Sequence, residues 1–166
     1  LDHPDLKDMY LRLLATASDQ KRQDDAHPGF ASIIRQISPA EAVHLPDFLN
    51  LEHHGAIANV TLTQAGGGQR YLERHVPSIY DAKTGCDIIE PNMASMIDNW
   101  TRLGLILTNY EMWSPDGSTY EYMQSRPEYL RWKDQYSDDE DVRVGIQHGI
   151  VYPTDFGRQF SRAALP

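Results

Sequence analysis

The chain has 166 residues, 40 % apolar and 23 % charged, and a formal charge of −9 from 15 Lys and Arg against 24 Asp and Glu. That length is about one domain, enough to bury a core without staples. The acidic excess opposes non-specific binding to phosphate backbones, and no apolar run approaches the roughly 18 residues that span a bilayer. The lone Cys86 has no internal partner, so a reducing, cytoplasmic setting is expected. The chain starts at Leu1 with no basic-then-apolar leader, and it is expected to be a piece of a longer protein.

A first helix is expected from Pro4, which suits a first helical turn. Its apolar stripe would be Leu6, Met9, Tyr10, Leu13, Leu14 and Ala17, fading into the polar run 18–25. A second helix follows His27-Pro28-Gly29 and buries Phe30, Ile33, Ile34 and Ile37. Ser38-Pro39-Ala40-Glu41 is a capping box that starts a third; Pro46 is expected to kink or end it, with at most one further turn through Phe48. The β-branched run 56–63 reads as a strand, Gly66-Gly67-Gly68 as a turn, and 69–76 as the returning strand. After a loop, a fourth helix presents Met93, Met96, Ile97, Trp100 and Leu103, and Gly104 is placed to cap it in the left-handed conformation before Leu105-Ile106-Leu107 begins a strand. Residues 149–152 read as a last strand, and Thr154 caps a closing helix that buries Phe156, Phe160 and Ala163 or Ala164. Residues 111–145 read as an insertion whose aromatic, charged part (113–141) contains a short helix from Pro127 to Gln135.

The fold class is therefore α+β: a helical N-terminal part, a small β-sheet and a winged-helix-like C-terminal half, together one domain over 1–166. A winged helix often reads DNA with the helix before the wing. Here that helix, 92–103, carries Arg102 as its one basic residue and Asp98 as its acid, a poor match to phosphates.

"LLATASD", "HPGFASIIRQISPAEA", "DNWTRLGLI" and "YPTDFGRQFSRA" occur in this order. Together they resemble the Abi-alpha (abortive infection alpha) family of bacterial proteins over most of the chain. Trp100 and Pro153 stand where Leu is usual in that family. The resemblance implies a role in bacterial defence against phage, in which infected cells stop growing or die, and an N-terminal, largely helical region preceding this domain. It implies no established catalytic residues, and so a role and not a mechanism.

The candidate chemistry is sparse. Glu52-His53-His54 lacks the further donors of a metal site, His27 is explained by local hydrogen bonding, and Gly66-Gly67-Gly68 lacks the Gly-Lys-Ser/Thr ending of a phosphate loop. Cys86 has no activating neighbour and is expected to be buried or inert. Asp98, Asn99 and Arg102 share a helix face, with Asp98 and Arg102 spaced to pair. Trp113, Tyr122, Tyr129, Arg131, Trp132 and Tyr136 are residue types enriched at interface anchors, unless the segment folds back and hides its rings. No catalytic residue, metal or cofactor is assigned. The expected function is a non-enzymatic regulatory or interaction domain, contacting a protein partner or the protein's own N-terminal region. One alternative is a winged-helix nucleic-acid binder. A second is a hydrolase of nucleotides or nucleic acid, which would need His27, His53, His54 and Asp98 to converge.

Overall fold

The computed structural model describes residues 4–81 and 83–165. The chain divides into two units, one made of Leu1–His54, Met96–Leu107 and Tyr152–Pro166, the other of Gly55–Ser95 and Thr108–Val151. The class is α+β, as the sequence patterning indicates.

In the first unit, α1 (Pro4–Ser18) buries Leu6, Met9, Leu13 and Thr16. Leu14 is 60 % exposed, so the buried stripe is narrower than its apolar pattern and closes on Thr16 instead of Ala17. The reason is a hydrogen bond. The last carbonyls of a helix have no partner within it. Thr16 Oγ1 donates to the Ala163 carbonyl (3.0 Å) and Arg22 to that of Arg162 (2.6 Å), at the end of α6 (Asp155–Ala164). Helix α2 (Phe30–Ile34) is short, but Phe30, Ile33, Ile34 and Ile37 are all buried as the spacing requires.

Helix α3 (Pro39–Leu49) has the complete capping box: Ser38 Oγ accepts from Glu41 N, and the Glu41 carboxylate accepts from Ser38 N (2.7 Å). It also runs through Pro46. An interior proline costs about 3 kcal/mol, whereas burying a large apolar side chain gains about 1.5–3 kcal/mol. Leu45, Phe48 and Leu49 are all buried around that proline, so packing prevails.

The "RLGL" and "TDFG" stretches interlock. Gly104 has φ 73°. Its N–H donates to the Thr101 carbonyl and that of Leu105 to the Trp100 carbonyl (2.9 Å), closing α4 (Met93–Arg102) with both bonds of a Schellman cap. The Leu105 carbonyl then accepts from Thr154 N (3.0 Å), and Thr154 Oγ1, which bonds the Gly104 carbonyl (2.6 Å), caps α6 by accepting from Gly157 N. A Cβ on Gly157 would lie 2.0 Å from the Leu105 carbonyl oxygen; one on Gly104 would meet open space.

The sheet has the order β2-β1-β4-β3 and comprises β1 (Gly55–Gln64), β2 (Gln69–Pro77), β3 (Ile106–Asn109) and β4 (Val142–Pro153); β1, β2 and Val142–Val151 of β4 belong to the second unit. β1 runs antiparallel to both neighbours. β4 begins seven residues before the stretch expected from sequence, because Gly145 and Gly149 look like breaks yet serve close packing: a Cβ on Gly145 would press on Thr61, and one on Gly149 on the Tyr110 ring. The segment between β3 and β4 forms a 3₁₀ helix (Gly117–Gln124) and α5 (Pro127–Gln135), the latter with the limits its sequence suggests. It is core material: Tyr120, Tyr122, Met123 and Tyr129 pack on the alternate residues Ala56, Ala58 and Val60 of β1 and on Val76. The buried hydroxyls are matched, Tyr120 donating to the Gly149 carbonyl (3.0 Å) and Tyr122 to that of Val76 (2.7 Å). His148 stacks on Tyr120 with centroids 3.9 Å apart.

Two outcomes are expected. Gly104→Ala should cost about 1 kcal/mol, from backbone strain alone, and Gly157→Ala about 3 kcal/mol or more, from overlap; urea unfolding separates them, and equal costs would contradict the interlock. Burial lowers the His148 pKa below 6.5, so its neutral form is favoured in the folded state. That stability is present above pH 6.5 and lost as pH falls through the lower folded value. Unfolding free energy measured between pH 7.5 and 5 should fall less in His148→Asn than in the wild type; equal pH dependence would contradict it.

Candidate functional site

The β1–β2 ladder pairs Ala58 with Val76 but Val60 with Glu73, so Asn59 faces both Arg74 and His75. This is a β-bulge, a device that re-aims side chains. Asn59 holds it open: its Oδ1 accepts from His75 N (3.0 Å) and its Nδ2 donates to Gln147 (2.9 Å). His75 has φ 55°, in a region sparsely populated by residues other than glycine, yet is 4 % exposed. Its ring lies 2.7 Å from the Tyr110 hydroxyl through Nδ1 and 3.1 Å from Arg74 through Nε2.

Beside the bulge is a pocket of about 370 Å³, walled by residues 73–77 of β2, the Ile89-Glu90-Pro91 stretch with Met93 and Ala94 at the start of α4, and Pro127, Glu128 and Arg131 of α5. Buried residues (His75, Val76, Pro77, Met93) form its floor and exposed ones (Arg74, Ile89, Pro91, Pro127, Arg131) its rim.

Its three carboxylates are engaged from within the protein. Glu128 accepts two bonds from the buried Arg126 (3.0 and 2.6 Å), whose third contact is to the Ile88 carbonyl (2.9 Å). Glu73 accepts from Trp132 Nε1 (2.7 Å) and from Arg131. Glu90 accepts from Asn92 N (3.0 Å). The Arg131 side chain remains 59 % exposed, its guanidinium 5.4 Å from the centre of the Trp132 ring.

The structure separates the six candidate anchors. Tyr122 and Tyr129 are core residues whose rings are packed away. Trp132 and Tyr136 are half-buried and stacked, Trp132 bonding Glu73 and Tyr136 accepting from Arg70 (3.1 Å). Arg131 sits on the pocket rim and Trp113 is 59 % exposed. The α4 face is an internal clamp: Asn99 donates to Glu41 (2.7 Å) and to the Gln36 carbonyl, and Arg102 donates to Asn99 (2.7 Å) and Gln36. Asp98 belongs to the same helix and is exposed. His27 accepts from Gly29 N (3.0 Å) and packs on Phe30 and Phe156, while His53 and His54 are exposed. Among the described residues no three His, Cys, Asp or Glu side chains gather in metal-binding geometry. Cys86 is exposed, so of its two expected states, buried or inert, burial is excluded. Gly66-Gly67-Gly68 is the β1–β2 turn, with φ 90° and 100° at the last two.

The sequence profile of abortive infection alpha matches residues 1–164. The chain belongs to the abortive infection alpha family. Membership implies an abortive-infection, phage-defence protein. No curated protein matches this abortive infection alpha chain. A solved structure similar to it is that of an uncharacterized protein from the hydrocarbon-degrading marine bacterium Alcanivorax borkumensis SK2, at 14 % identity over 79 % of this chain and 88 % of that one, with a TM-score of 0.45. Among the described residues no helix is long and apolar enough to cross a membrane.

The Arg126–Glu128 pair is buried on one side (2 % and 20 % side-chain exposure), unlike the Arg12–Asp8 pair (44 % and 55 %). Removing one partner of a buried pair costs about 3–5 kcal/mol; an exposed pair contributes about 0–1 kcal/mol. Chemical denaturation should therefore show Glu128→Ala losing about 3 kcal/mol and Asp8→Ala under about 1 kcal/mol. Similar small losses in both would contradict the buried fork.

Proposed function

We propose that this chain is a non-enzymatic recognition domain of a phage-defence protein, acting through protein contacts made at the pocket between β2, the start of α4 and α5. The observation that carries the reading is the pocket's division of labour. Its floor is largely apolar, and its carboxylates and histidine are already held by neighbouring donors and acceptors. A general acid or base needs freedom to meet a substrate proton, whereas an apolar hollow with a polar, exposed rim is the anatomy of a contact site. The nucleic-acid alternative is weakened by the net charge of −9 and by the engagement of Arg102, the one basic residue of α4, with Gln36 and Asn99. Residues 111–145, read as an insertion, would then serve to build one wall of the site.

The test is phage plating on cells that express the full-length protein. Ile89, 54 % exposed on the pocket rim, is changed to Glu; Leu14, 60 % exposed on α1, is changed to Glu as a control. Neither position is buried, so both variants should fold, which circular dichroism checks. Ile89→Glu should lose protection and Leu14→Glu should keep it. Full protection by a folded Ile89→Glu variant would contradict the reading.

A further inference from the structure

We propose that the pocket receives an apolar side chain standing next to a carboxylate on the partner, and that this carboxylate docks on the Arg131 guanidinium. The inference rests on the recognition reading above and specifies what is recognised.

Three features point to this chemistry. First, the floor offers Val76, Pro77 and Met93, and about 370 Å³ is at the small end of ligand pockets, space for one large apolar side chain and its neighbours. Second, two of the three pocket carboxylates already have a cationic partner and the third a backbone donor. Glu128 is already paired with Arg126 in a two-bond fork, Glu73 accepts two donors, and Glu90 accepts a backbone N–H. Third, Arg131 gives one Nη2 bond to Glu73 and is otherwise exposed on the rim, where a guanidinium with five N–H donors can still meet a carboxylate in a forked geometry. Trp132 lies against that guanidinium, and stacking on an aromatic face pre-organises arginine for such a contact. The overall charge of −9 does not override this preference at contact distance, because screening removes the field of distant charges beyond about 8–10 Å.

The same chemistry exists at a chain terminus with an apolar last residue and at an internal Asp or Glu beside Leu or Phe. The test uses three probes: N-acetyl-phenylalanine, its neutral amide, and N-acetyl-Asp-Phe-amide. Amide shifts of the ¹⁵N-labelled chain are followed on titration. The expected result is saturable shifts of the His75, Val76, Ala94 and Arg131 amides, with at least one acidic probe binding about fivefold or more tightly than the neutral amide. The stronger acidic probe identifies the terminal or internal source. Arg131→Gln should abolish the difference between acidic and neutral probes. This exposed position tolerates the change, since Trp132 still holds Glu73. Equal affinity for acidic and neutral probes, an undiminished difference in Arg131→Gln, or shifts confined to residues away from the pocket would overturn the proposal. The outcomes also separate the two readings. Neutral binding that Ile89→Glu removes, with no acidic preference, overturns the carboxylate and leaves the apolar site; no pocket shift with any probe, together with full phage protection by Ile89→Glu, overturns both.

Discussion

The bond from His75 N to the Asn59 side chain is the constraint on which the second unit's surface depends. In an unbroken ladder that side chain would stand on one face of β1 and the strands would stay in phase. Here a side-chain oxygen takes the place of a backbone acceptor and His75 adopts a left-handed conformation, which costs about 1–3 kcal/mol. Contacts to Tyr110, Arg74 and, through Asn59, to Gln147 hold it there. Because side chains alternate along a strand, each extra residue reverses which face the following ones occupy. The β1–β2 ladder slips twice, between Ala58 and Val60 and again between Val60 and Thr61, and β2 begins with exposed residues and ends with three consecutive buried ones, His75, Val76 and Pro77. With Met93, those three form the pocket floor.

The opposite wall is positioned by a different physical device. Pro127 fixes the first turn of α5, and Arg126, almost wholly buried, grips Glu128 with one edge and the Ile88 carbonyl with the other. A buried pair of this kind adds little net stability compared with apolar packing, but it is expensive to break. Its effect is geometric: the stretch before α4 and the start of α5 are held to one guanidinium. The rim is therefore set before any partner arrives, and pre-organisation reduces the ordering cost of binding.

How much of this was legible in the sequence follows from the range of the forces involved. Local signals read true. The Ser38–Glu41 box, the Gly104 cap, the Thr154 cap and the limits of α5 each depend on residues within about one helical turn. Features decided by distant partners did not. Thr16 displaces Ala17 because a carbonyl on α6 needs a donor; Pro46 stays inside α3 because of what its neighbours bury; β4 starts early because its glycines admit Thr61 and the Tyr110 ring. Composition marked the aromatic segment as important without telling inside from outside, so Tyr122 and Tyr129 proved to be core and Arg131 a rim residue. The pocket itself had no signature, since its walls come from three separate stretches of chain and its central histidine is placed by a bulge. An asparagine between the apolar residues Ala58 and Val60, and a basic residue just before a helix-starting proline, were the available hints.

The hollow beside β2 is where, on the proposed reading, the defence protein meets its partner. Site-specific photo-crosslinking in infected cells addresses it most directly. A photoreactive residue replaces Ile89 on the rim or, for comparison, Leu14 on α1, both exposed, in the full-length protein. The expected result is an infection-dependent adduct to one protein from position 89, absent from position 14. Adducts from both positions alike, or none from position 89 in cells that remain protected, would contradict it.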